Sequence, residues 1–586
     1  MRKTGAAMYD ILIRNALIVD GTGKKQYPGD IAITDGVIEE IGDCDTKNAG
    51  IRINARGRIV CPGFIDIHSH ADLIVPHDNH RDTLEPLVRQ GITSFIGGNC
   101  GFSNSLLPDK QRNNCIDSIE DFTVRNESEF ITWKTPAEFM DKMEKRGLLL
   151  NMGLLTGHGS LRIAAAGLVR RLLVEEEQRQ LEKYLEQSLE MGCLGMSTGL
   201  QYYPGLQSDT EELVKAGKIL KKFNGIFTSH MRSYCHTIDQ AMEEIFTVGR
   251  KNDIRVQISH LYWHPYSKGL SVIVQKAVKA ASFAYNRLHL PIPIENGLLP
   301  KIRKIEQARA EGVDAYFDLV PTAQGFTTLF AFFPPYVVEG SKKEALERLG
   351  NREFRKKILY DMENVEPEWP HNGKADWSFN YIKITGWGGL RVMTVTREEN
   401  RWMEGMTFPE IGKKLGKSPM DTMCDLLIEE KGRVLVFHTP TRPDDPFAFR
   451  SMWHGFTHPL SMPATDTILL PFGRPSHVFY DCFPRFIEFF AKQKHKLSLE
   501  EAIRKCTSLP AKVMRIRNRG ILAKGKAADV LIFDYRNIGT DADFYHPRVS
   551  PRGIETVLIN GKFVLKDGEI QHNVLAGKII RAGYSG

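Results

Sequence analysis

The chain contains no run of ~18 apolar residues, the length a helix needs to cross a bilayer, so nothing in it is expected to span a membrane. Met1-Arg2-Lys3-Thr4-Gly5 leads to Asp10 without an apolar core, and no secretory leader is expected. The nine cysteines are odd in number and irregularly spaced. That argues against a disulfide framework and for a reducing, cytoplasmic setting. No basic block interleaved with aromatics occurs: 78 Lys and Arg stand against 71 Asp and Glu, net +7. Solvated faces are expected, not a nucleic-acid stripe. Internal repeats and low-complexity tracts are missing too. What remains is a globular composition, 42% hydrophobic and 25% charged, over 586 residues. That length suits one large domain plus a smaller module. Neither a nucleic acid nor a membrane is expected as partner; a small-molecule substrate is expected from the site read below, and a homo-oligomer is compatible with the composition.

Both ends read as β-structure. Near the N-terminus, Tyr9–Ile13, Ile31–Ile33, Val37-Ile38 and Ile51–Ile53 supply β-branched residues around the turn signals Asp20-Gly21 and Asp35-Gly36. Near the C-terminus, Ala528–Phe533 and Val557–Val564 surround an Asn560-Gly561 turn. The two ends are expected to form one small β-sandwich, from residues 1–61 and 513–586. Between them, apolar strand candidates alternate with charged helical stretches. The candidates are Phe64–Ile67, Ile92–Ile96, Leu148–Leu155, Leu194–Ser197, Gly225–Ser229, Ile254–Ser259, Val313–Leu319 and Leu460–Thr465. Eight such strands with crossover helices predict an α/β fold, a (β/α)8 TIM barrel over 62–512. Insertions at about 262–310 and 321–459 are too long for plain connections and are expected to wall the pocket.

Candidate ligands fall at the C-terminal ends of these strands. His68 and His70 close the first, and residues two apart in an extended strand face one side. Cys100 follows the second, flanked by Gly98 and Gly101. His230 closes the fifth, His260 the sixth and Asp466 the eighth. Six metal-competent side chains at one barrel mouth predict a metal site. Thiolate, imidazole and carboxylate together favour Zn²⁺. Zinc would supply an activated water and polarise a carbonyl. A nearby carboxylate, Asp466, could move the water's proton to the leaving nitrogen. Hydrolysis of an amide or related C–N bond is expected.

Longer motifs accompany these residues: Pro62–Asp66, Gly98–Ser103, Gly157–Arg162, Leu194–Leu200, Ser229–Arg232, Gln257–His260, Gly473–Pro475, Phe483–Arg485, Thr507–Ala511 and Lys526–Asp529. Taken in order, they resemble the amidohydrolase superfamily, and within it the N-acyl-D-amino-acid deacylases, or D-aminoacylases. The resemblance implies the same barrel and sandwich. It implies a tighter zinc on Cys100, His230 and His260, a second and weaker site at His68 and His70, and Asp466 as acid and base. The fourth strand lacks the lysine that many superfamily members carboxylate.

The departures concern substrate. The family's usual lysine two positions after the sixth-strand histidine is Tyr262 here, and its tyrosine and serine on the seventh-strand segment correspond to Thr322 and Phe326. Arg232 is a candidate replacement cation, with a structural ion pair as the alternative. His158 is either substrate-facing or structural. His264, His438 and His477 are expected to be ordinary loop histidines, and Cys193, Cys424 and Cys482 small buried hydrophobes. Deacylation of an N-acyl-D-amino acid or related amide is the leading reading. A hydantoinase-like ring-opening hydrolase and a non-catalytic scaffold are the rivals.

Overall fold

The computed structural model describes residues 9–44, 48–123, 131–265, 269–372, 377–378 and 380–583. Met1–Gly5, read above for a leader, lie outside them. Eight parallel strands follow one another around a barrel: β1 (Phe64–Asp66), β2 (Ile92–Gly97), β3 (Asn151–Gly157), β4 (Gly195–Gly199), β5 (Ile226–His230), β6 (Val256–Ile258), β7 (Ala315–Leu319) and β8 (Ser461–Pro463). The ring closes where Ser69 bridges Thr467, with His70 N–H donating to the Thr467 carbonyl and Asp466 N–H to that of His68. Each expected strand is present, shifted by a few residues at most. Strands buried on both faces carry near-continuous apolar text, which made them readable. Crossover helices Glu175–Glu190 and Ile238–Asn252 pack on the outside. No helix among the described residues is long and apolar enough to cross a membrane.

The two ends do meet in one sheet. Val530–Phe533 pairs antiparallel with Ile59–Pro62, which lies beside Tyr9–Ile18. The far edge, Val37–Gly42, returns to Ala527 through a bridge at Val37. The sheet thereby encloses a core of Ile11, Ile13, Ile31, Ile33, Val60, Val530 and Leu558. Asp35-Gly36 and Asn560-Gly561 are two-residue hairpin turns with both residues at positive φ. Asp20-Gly21 also lies in a hairpin, between the antiparallel strands Tyr9–Ile18 and Tyr27–Thr34, but not as a two-residue turn. Asp20 Oδ1 instead accepts from Thr22 N–H at 2.9 Å, and a longer loop leads to Tyr27–Thr34.

The insertions are structured. The first contains helix α1 (Ser271–Leu288) and, after the bend at Pro291–Pro293, a helix at Leu299–Ala310. The second builds a three-stranded antiparallel sheet from Gly325–Thr328, Leu435–His438 and Leu390–Thr394, with its own core around Phe332, Tyr381, Phe408 and Val436.

Candidate metal centre and the cavity above it

The barrel brings all six expected ligands together. His68, His70, Cys100 and Asp466 form one cluster, and Cys100, His230 and His260 another. Within each, the ligand atoms lie within 4.8 Å of one another, and Cys100 belongs to both. Cys100 Sγ is 3.2 Å from His68 Nε2 and 3.6 Å from His260 Nε2. Asp466 Oδ1 is 3.3 Å from Nε2 of both His68 and His70.

The local backbone is unusual. Cys100, His260 and Asp466 have φ of 52°, 33° and 51°, a region non-glycine residues seldom occupy. Strain of this kind persists only where the surroundings impose it, and it gathers at functional sites. The surroundings here are tight: a Cβ on Gly98 would sit 2.0 Å from the Leu155 carbonyl oxygen, and one on Gly199 1.9 Å from that of Cys100. The glycines around Cys100 thus bring its loop onto β3 and β4.

Burial alone would raise the Cys100 thiol, but the imidazoles of His68, His230 and His260 hold it well below its ordinary value. Asp466 is likewise held well below the carboxylate range, against burial, by His68, His70 and His260. His68 rises against its burial through Cys100, Asp466 and Asp318, and His70 reaches about 9 through Asp466 and Cys100. Burial and neighbouring His260 bring His230 down to about 4. Two buried anions side by side are costly without a cation between them. A thiolate, imidazoles and a carboxylate converging on one spot fit a borderline-soft divalent ion.

Asp318, on β7, supports the centre and was not singled out in the sequence. Its Oδ1 accepts from His260 N–H at 2.7 Å, and its Oδ2 accepts from Gln257 Nε2 at 2.6 Å and lies 3.5 Å from His68 Nδ1. Such partners fix the orientation of ligating imidazoles. The one available signal was an aspartate inside the apolar run Ala315–Leu319.

A cavity of about 490 Å³ opens above the centre, with His70, Cys100, His230, His260 and Asp466 on its floor. Tyr262, Thr322 and Phe326 line it, as the departures suggested. Tyr262 stacks on Tyr234, ring centroids 4.3 Å apart, and burial keeps its phenol protonated. Arg232 must be corrected as a substrate-binding residue. It is fully buried away from the cavity, Nη2 and Nε on the Glu244 carboxylate at 3.0 and 3.1 Å and Nη1 on the Leu206 carbonyl. His158 is buried too. Its Nε2 lies 2.7 Å from Glu212, which also pairs with Arg162, and it does not line the cavity. The structural alternative holds for both.

His264 and His438 correct the opposite way. Both line the cavity as neutral imidazoles, His264 lowered by burial to about 4 and His438 pushed well below its usual value by burial and nearby histidines. The alternation His260-x-Tyr262-x-His264 was the signal for the first. His438 ends an insertion strand against Gly325, where a Cβ would meet its Nε2 at 2.2 Å. His477 sits in the turn before the helix Val478–Phe486, but it is no ordinary surface histidine: it is buried between Asp444 and Asp481. Cys193, Cys424 and Cys482 are buried, as expected.

The chain is similar to known proteins along nearly its whole length. The Amidohydrolase family profile matches residues 458–565. N-acyl-D-glutamate deacylase from Alcaligenes xylosoxydans xylosoxydans is 27% identical over 98% of this chain and 96% of its own length. D-aminoacylase from the same organism is 25% identical over 96% and 95%. Among solved structures, N-acyl-D-glutamate deacylase from Bordetella bronchiseptica, complexed with zinc and a phosphonate inhibitor, superposes with a TM-score of 0.74 at 23% identity, covering 98% of this chain and 100% of that one. The closed barrel and the sheet shared by both ends agree with those likenesses: over nearly its whole length the chain is similar to the D-aminoacylases, and its last part matches the Amidohydrolase family.

Proposed function

We propose that this protein is a zinc-dependent amidohydrolase that cleaves the C–N bond of an N-acyl-D-amino acid or a related small amide. The observation that carries the reading is the pair of ligand clusters sharing Cys100 beneath the cavity. Cys100, His230 and His260 would hold the tighter zinc, and His68, His70 and Asp466 a second, weaker one. Bound there, zinc would supply a water acidic enough to attack at neutral pH and a pull on the substrate carbonyl. Asp466, ionised and at the cavity floor, takes the proton of the attacking water and delivers it to the leaving nitrogen. The C–N bond breaks, and a carboxylic acid and an amine leave. Tyr262 offers a neutral phenol to the substrate, and Asp318 steadies His68 and His260. Buried cysteines with no disulfide among the described residues support a reducing cytoplasmic home. A hydantoinase-like reading finds less support, since β4 reads Gly-Met-Ser-Thr-Gly with no lysine.

The test is hydrolysis of paired N-acyl-D- and N-acyl-L-amino acids by zinc-reconstituted protein. Turnover of a D-substrate should fall by about 10²–10⁴-fold in Asp466→Asn, the range for losing a general acid–base group. An Asp466→Asn protein as active as the parent would remove Asp466 from this role.

A further inference from the structure

Resting on the amidohydrolase reading, the cavity also speaks to substrate class. Among its described lining residues there is no lysine and no arginine. Its polar wall is built from the uncharged or imidazole side chains of Gln201, Tyr262, His264, Thr322, Gln324 and His438, with the Asp466 carboxyl on the floor. An α-carboxylate would lose its hydration here without a side-chain cation to replace it. Away from the metal ligands the lining turns apolar: Ile292, Ile294, Leu298, Val320, Met452 and Ile468. The inner face of α1 adds Ala277, Val278 and Ala281. We propose that the amide hydrolysed at this site is lipid-like, with a long hydrocarbon acyl chain and no charge beside the scissile bond. Water and this amide give a fatty acid and a neutral-side amine.

A two-by-two comparison tests it: N-acetyl- and N-decanoyl-D-alanine against the corresponding D-alaninamides, with zinc-loaded protein and released acyl acid as the readout. kcat/KM should climb about fourfold per methylene until the cavity fills. The neutral amide should exceed the acid by roughly tenfold, the value of a missing charged partner. Tyr262→Lys should swing that preference toward the acid. A flat chain-length response, or free acids preferred by the parent, overturns the inference and leaves the amidohydrolase reading intact. If none of the four is cleaved by fully loaded protein, the amidohydrolase reading fails. That outcome overturns this inference with it, whereas a flat chain-length response overturns this inference alone.

The outer face of α1 carries a second, independent observation. Val272, Ile273 and Phe283 are 59%, 63% and 60% exposed, and Leu288 and Leu290 extend the apolar surface. Lys276, Lys279 and Arg287 lie among them, and no acidic residue occurs between Asp253 and Glu295. Apolar side chains flanked by unopposed cations complement the surface of an anionic bilayer. We infer that α1 seats there, holding the roof of the cavity against the lipid. Purified protein should sediment with phosphatidylcholine vesicles containing phosphatidylserine, less so with phosphatidylcholine alone or in high salt. Ile273→Glu with Phe283→Glu should release it, as should Lys276→Glu with Lys279→Glu. No sedimentation of the parent, or equal sedimentation of the folded variants, overturns the inference. So does a parent dimer in solution that the same substitutions dissociate, which would assign the face to a second copy.

Discussion

The surroundings hold the Cys100 thiol well below its ordinary value, whereas burial pushes those of Cys61, Cys115, Cys193, Cys235, Cys424, Cys482 and Cys506 up. A thiolate is the reactive form, so iodoacetamide at neutral pH should modify Cys100 first in chelator-treated protein, and zinc should protect it. Peptide mass mapping reads this directly, and labelling indifferent to zinc would remove Cys100 from the ligand set. Asp318→Asn keeps the shape but weakens the hold on His68 and His260. It should lower zinc affinity about 10–100-fold in a chelator competition, with the fold intact by circular dichroism. Glu212 sets a pH limit. Burial would raise its carboxyl, yet Arg162 and His158 hold it at about 2 against an ordinary 4.5. A depressed carboxyl stabilises the native state above pH ~4.5, and the contribution fades as pH falls toward ~2, amounting to about 3 kcal/mol. Thermal melts of the parent and Glu212→Gln should therefore diverge at neutral pH and converge near pH 2.

At the level of the element, the loop after β2 depends on missing side chains. Gly98→Ala combines φ of 72° with a 2.0 Å approach to the Leu155 carbonyl oxygen. It should cost more than about 2 kcal/mol and lower zinc stoichiometry, measured by melting and metal analysis of the same preparation. That loop was readable in advance because glycine beside a would-be ligand has few other uses. The strands were readable because apolar runs of parallel-sheet length carry their own boundaries. Other features were not, since they arise only when distant segments meet. His438 faces the cavity because its strand pairs with Gly325–Thr328, more than a hundred residues earlier. Arg232 turns away from the cavity because Glu244, twelve residues on, claims its guanidinium in the core. An arginine two positions past a ligand looks the same in the text either way.

Across the whole molecule, the C-terminal segment ties the sheet of both ends to the barrel. Ile579–Ile580 pairs with β3 at Met152 and Gly153, and Gly577 N–H donates to the Leu148 carbonyl. Removing residues 577–586 takes Ile580 out of the core it shares with Leu194 and uncovers Leu194. It should cost about 3 kcal/mol, seen as an earlier barrel transition in urea monitored by tryptophan fluorescence. A truncated chain as stable as the parent would make the contact incidental. The partnership of Ile59–Pro62 with Val530–Phe533 also orders events during synthesis. At ~5–20 residues per second, the first strand waits tens of seconds on the ribosome before its partner emerges. Throughout that interval its open edge is a site for wrong pairing, so nascent chains of this protein should lean on chaperones for longer than their barrel alone would require.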